Sequence, residues 1–102
     1  MVTITEAAEH IGIDYLDDGM TVANLQRALD SAIYRLYGAV GRDVEHYMAG
    51  DPRVDQLVLM YTEEAYDNHP GSAKQDAAKN HLRDTLELQL QLELRVLREA
   101  GV

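Results

Sequence analysis

Four histidines, His10, His46, His69 and His81, and an excess of acidic side chains are the obvious starting points for chemistry in this sequence. Asp43 and His46 form the one pair in which a histidine follows a carboxylate by three residues. A di-iron bundle needs a Glu-x-x-His motif from two helices plus further glutamates, and no helical stretch supplies them. The histidines therefore read as solvated or capping groups, and no metal is expected.

Asp14, Asp17 and Asp18 suggest a calcium loop. Counting from Asp14, however, places Leu16 at the third ligand position and Leu25 at the twelfth, where an EF-hand needs oxygens. The stretch is read as an acidic turn before the next helix. Glu63 and Glu64, with Asp67 a turn later, look like an acid-base set, but neighbouring helical residues diverge by about 100° and do not face one another. Ser31 and Ser72 have no histidine close in sequence, so nucleophilic catalysis has no support. The stretch GAVGRD around Gly38 and Gly41 lacks the GK[ST] ending of a phosphate loop and reads as a connection. The chain is not expected to be an enzyme or to carry a cofactor.

Composition narrows the class further. The chain has 102 residues, a length suited to one domain. It lacks Cys, Phe and Trp, so its core must come from aliphatic side chains, Met and the six tyrosines. Without cysteine there are neither disulfides nor thiol chemistry. No apolar run approaches the ~18 residues of a membrane span, and the opening residues do not resemble a signal peptide, so no membrane partner and a cytoplasmic site of synthesis are expected. The net charge of -9 opposes tight nucleic-acid binding, although a protein of this charge can work beside DNA without holding it.

The elements follow from caps and periodicity. Thr3 and Glu6 have capping-box spacing, with Val2 as staple, for a helix over 4–11 that buries Ala7, Ala8 and Ile11 and ends at Gly12. A second helix, about 20–37, carries the stripe Val22, Leu25, Leu29, Ala32, Ile33 and Leu36, with Gly38 as its cap. Asp51-Pro52 opens a third, apolar around much of its girth and therefore central, with Val54, Leu57, Val58, Tyr61 and Ala65 on one face; it ends near Asn68 or His69. Most tyrosines belong to the core or its edge, leaving Tyr15 and Tyr47 as the better partner-surface candidates.

The last element, about 73–99, contains TLELQLQLELR, with a leucine at every second position. On a helix, Leu82, Leu86, Leu90, Leu94 and Leu97 share one face, while Leu88, Leu92 and Val96 lie roughly opposite. As an extended chain from near Leu88, the same residues give one leucine face and an open hydrogen-bonding edge. Both conformations leave a surface for another chain. The expected architecture is all-α, a bundle of about four helices whose long C-terminal helix either continues or turns extended near its end.

Several stretches resemble the phage head-tail connector family, the small head-completion adaptors also called DNA-packaging proteins. That family's opening pairs a threonine cap and short helix with an acidic turn and a second helix ending near Tyr-x-Gly. Thr3, Ile13-Asp14, Asp17-Asp18 and Tyr37-Gly38 take those places, without the intervening residue. LVLMYTEEAYDNHPG is similar to the family's apolar helix closing in Tyr-Glu-Asn-Arg, with Tyr66, Asp67, Asn68 and His69 in those positions. TLELQLQ resembles its Leu-Gln-Leu-Arg ending, with Gln91 in place of arginine. His69 and Gln91 thus remove two positive charges from the pattern.

The resemblance spans most of the chain and implies a structural role. It implies a virion protein of the head-tail junction, assembled in a bacterial host's cytoplasm. Its subunits would form a homo-oligomeric, dodecameric ring beneath the portal protein, extend a channel through which DNA passes without specific binding, and offer a platform to the tail or a second adaptor. Leu88, Leu92 and Val96, together with Tyr66, Asn68, His69 and Gln91, are the expected subunit or partner interface. A small acidic regulator or adaptor that docks its C-terminal helix into one partner's groove is the alternative.

Overall fold

Local signals account for both ends of the first helix and for the helix start at Pro52 in the computed structural model, which describes residues 2–13, 19–66 and 77–101. The described elements are all helical: α1 (Ile4–Ile11), α2 (Gly19–Ala39), α3 (Val44–Tyr47), α4 (Pro52–Tyr66) and α5 (Ala77–Glu99). The acidic turn with Asp14, Tyr15, Asp17 and Asp18 lies outside the described residues, as do Asp67, Asn68, His69 and the Pro70-Gly71-Ser72 break.

At α1 the capping box is complete. The Glu6 amide donates to Thr3 Oγ1 at 3.2 Å, and the Thr3 amide donates to Glu6 Oε1 at 3.3 Å. Gly12 closes the helix in the left-handed region at φ 90°, its amide bonded to Ala8 O at 2.9 Å. At α4, Asp51 caps as its spacing with Pro52 predicts, accepting the Arg53 amide at 2.9 Å.

One expectation in the middle of the chain needs correction. Gly38 does not cap α2, which runs on to Ala39, with the Val40 amide still bonded to Leu36 O at 2.9 Å. Nothing terminates a helix merely because glycine costs it some stability; the following backbone must also turn. The turn comes at Gly41, whose φ of 148° is hard for other residues. A side chain there would also meet Leu94 Cδ2 at 2.9 Å. The connection then contains α3, one turn that plugs the core with Val44 while Met48 follows it inside.

The core joins Ala7 and Ala8 of α1, Leu25, Leu29, Ala32 and Leu36 of α2, Val54, Leu57, Val58 and Tyr61 of α4, and Leu86, Leu90 and Leu94 of α5. Helix α4 packs against α1, α2 and α5, the central position expected from its broad apolar surface. Its buried face turns at Thr62, whose hydroxyl donates to Val58 O at 2.7 Å, whereas Ala65 is exposed.

Helix α5 is continuous to Glu99 and does not become extended near Leu88. Propensity favours this outcome, since Leu, Glu and Gln are good helix formers. Packing completes it: at helical spacing, Leu86, Leu90 and Leu94 reach one core, whereas a strand would need an edge partner.

Candidate functional site

Helix α5 presents three different surfaces around its circumference. The inner ridge of Leu86, Leu90 and Leu94 is buried, with Leu97 packed at its end. Its flanks are tied by polar contacts to segments distant in the chain. The Arg53 guanidinium straddles Glu93, with Nη1 at 2.7 Å from Oε1 and Nη2 at 2.5 Å from Oε2, while its Nη2 also meets Asp51 Oδ2 at 2.7 Å. Arg98 pairs with Asp43 and lies over Gly41. Gln91 Nε2 donates to Ala39 O at 2.5 Å, Tyr61 donates to Glu87, and Arg83 pairs with Glu64.

These contacts set the local electrostatics. Hydrogen bonds from Arg98 hold the Asp43 carboxyl below its ordinary pKa, and those from Arg53 do the same for Asp51 and Glu93. Burial, then the bond to Glu87, raises the Tyr61 phenol. At Arg83 burial is the largest influence and opposes the charge, but attraction and hydrogen bonding by Glu64, helped by Asp84, outweigh it and leave the pKa raised.

The third surface faces away from the bundle. Leu88, Leu92 and Val96 are 55%, 52% and 63% exposed, against 0% for Leu90 and Leu94. Isolated exposed leucines are common, but these three succeed one another at one-turn spacing and form a continuous ridge. Of the other expected interface residues, Gln91 is exposed with its amide committed to Ala39, and Tyr66 is half-buried against the core at the end of α4. Asn68 and His69 lie outside the described residues. The structure therefore groups Leu88, Leu92 and Val96 and places Gln91 on a flank, toward α2.

Among the tyrosines, Tyr34 on α2 is exposed at 71%, whereas Tyr47 is half-buried, with its ring edge-on to His46 at 4.8 Å. Tyr34 is thus a surface candidate that the loop-based reasoning missed; its outward position relative to the Leu25–Leu29–Leu36 stripe was the available signal.

The candidate carboxylates Glu63 and Glu64 are each held by polar partners. His10 Nε2 lies 3.1 Å from Glu63 Oε2, and Lys79 Nζ lies 3.6 Å from Glu63 Oε1. Glu64 points the other way, where Arg35 Nη1 meets its Oε2 at 2.8 Å while Arg83 holds its other oxygen. The two carboxylates diverge as helical geometry requires. An open cleft of about 280 Å³ between α2, α4 and α5 is lined by Ser31, Arg35, Tyr61, Glu64, Ala65 and Arg83. Both of its guanidiniums are engaged by Glu64, and Arg35 also stacks 4.1 Å above the Tyr61 ring. Among the described residues no cluster of His, Asp or Glu is arranged to hold a metal ion, and no helix is long and apolar enough to cross a membrane.

Compared with known protein families, curated proteins and solved structures, the chain matches none of them. Its described structure has a helix whose inner ridge closes the core, whose flanks are fastened to the body, and whose outer ridge is exposed.

Proposed function

We propose that this chain is a structural assembly subunit, a head-tail connector that forms a ring under a phage portal, extends the DNA channel and joins the packaged head to the tail. The observation that carries the reading is the outer ridge of α5. An apolar ridge held rigid on a core helix suits a head-to-tail contact between copies, which closes into a ring when its rotation allows. The acidic surface supports the same reading, because a channel lining of this sign lets duplex DNA slide past.

The test is cryo-microscopy and native mass spectrometry of the protein mixed with portal rings encoded near it, at rising concentration. A closed ring stacked coaxially on the portal, with Leu88 and Leu92 in the subunit seam, is the expected result. Absence of portal binding, together with a one-to-one complex on another protein, refutes it in favour of a helical adaptor that uses the same ridge.

A further inference from the structure

Along one flank of the outer ridge, Asp84 toward one end and Arg95 toward the other carry opposite charges. Taking Leu90 as zero, Leu88 and Leu92 fall about 160° and 200° around α5, with Asp84 and Arg95 at about 120° and 140° on one flank and Thr85 and Val96 at about 220° and 240° on the other. His81 and Glu99 both fall near 180°, one beyond each end of the leucines. All of these except half-buried Thr85 are exposed. Arg95 has no ion-pair partner among the described residues, and Asp84 meets only its neighbour Arg83, at 3.2 Å, a group already held by Glu64.

We propose that two copies of this chain associate through α5 in antiparallel orientation, about a two-fold axis midway between Leu88 and Leu92. In that arrangement residues whose numbers sum to 180 lie at the same height along the paired helices. Leu88 packs on Leu92 of the second copy, and His81 faces Glu99. Because the axis keeps each flank on its own side, Asp84 comes within about 1.5 Å of Arg95 of the second copy in height along the helix. Thr85 meets Val96 on the other flank. Each of these contacts occurs twice, as an isologous interface requires. A parallel two-fold would exchange the flanks and set Asp84 beside Thr85 and Arg95 beside Val96, leaving both charges without an opposite partner, so charge favours the antiparallel form.

The matched segment from His81 to Glu99 is about 27 Å long and one helix wide, so it buries well under the ~1,200 Å² of a standard stable interface. The dimer is accordingly weak, with a Kd on the order of 100 µM. It covers the ridge that ring contacts would use, which makes it a reserve form that separates before assembly; this regulatory meaning, unlike the dimer itself, rests on the connector reading.

Sedimentation equilibrium of the full chain from about 10 µM to about 1 mM tests the geometry. The expected result is a monomer-dimer equilibrium that Asp84→Arg and Arg95→Asp each weaken about tenfold and that the double exchange restores. Net charge alone predicts a different pattern, because Asp84→Arg makes the chain less acidic and should strengthen association. A monomer throughout the range, strengthening by Asp84→Arg, or failure of the double exchange to restore the dimer overturns the proposal. Circular dichroism of each variant confirms that the fold is retained, these positions being at the surface. A ring on the portal formed by a protein that is monomeric alone overturns the dimer and leaves the connector reading standing; a dimer with the exchange pattern and no portal ring does the reverse.

Discussion

Replacing Leu88 and Leu92 together by serine separates the two apolar ridges of α5. Both side chains are about half exposed, at 55% and 52%, so the monomer loses only the buried half of each and a few tenths of a kcal/mol of helix propensity. The expected cost is about 1–2 kcal/mol for the pair, or a fall in Tm of roughly 10 °C at most. Leu90→Ser, one position away at 0% exposure, removes a fully packed side chain and should cost at least the ~2–5 kcal/mol of a core Leu→Ala change. Association reverses the ranking. Burying the exposed halves of Leu88 and Leu92 is worth about 2 kcal/mol per copy, so the outer pair should weaken each head-to-tail contact roughly 30-fold, and the two-fold dimer by more because both copies contribute. Thermal melts of dilute protein and sedimentation of concentrated protein give the two readouts. The reasoning fails if the outer pair lowers Tm as far as Leu90→Ser does, or if association is unchanged.

Other expectations follow from the loops and ion pairs. Gly41→Ala should destabilise clearly in a thermal melt, because its φ is positive and the new methyl meets Leu94 and Arg98, whereas Gly38→Ala, in open space within α2, should be neutral or stabilise by up to ~1 kcal/mol. Acid should destabilise the fold: with folded pKa values depressed at Asp43, Asp51 and Glu93, the unfolded chain binds more protons, so their contribution is present above about pH 4 and is lost as pH falls through the folded values. Arg53→Met, which removes the cation common to Asp51 and Glu93, should flatten that acid limb in denaturation profiles measured between about pH 2 and 5.

The helix starts were legible because Thr3, Glu6, Asp51 and Pro52 act within a few residues of themselves. The two faces of α5 were legible for a similar reason, since periodicity is a local property once a helix is assumed. What remained open in the alternating leucines was whether a helix forms at all, and that is decided by Leu86, Leu90 and Leu94 finding a common core. Gly38 and Gly41 show the limit of local reasoning in the other direction. Both are glycines near the end of one apolar stripe, but only Gly41 lies beneath Leu94 and Arg98, more than fifty residues later. Thr62 was missed because a hydroxyl reads as polar, although its bond to Val58 O lets it lie in the core at no cost in unpaired groups. Arg95 became notable only when the other cations near α5 were found to be occupied.

A helix with leucines on two sides also raises a problem of orientation during folding. Before α5 docks, its inner and outer ridges compete for the same cleft on α4, and a half-turn rotation would put Leu88 and Leu92 where Leu90 and Leu94 belong. Hydrophobic burial discriminates poorly between two such ridges. The flank contacts discriminate well: in the rotated form Glu93 turns away from Arg53, Arg98 from Asp43, and Gln91 from the Ala39 carbonyl. Exposed ion pairs of this kind add little to total stability. Here they act as a rotational key, making the native docking the one in which charges meet and leaving the other ridge reliably outside.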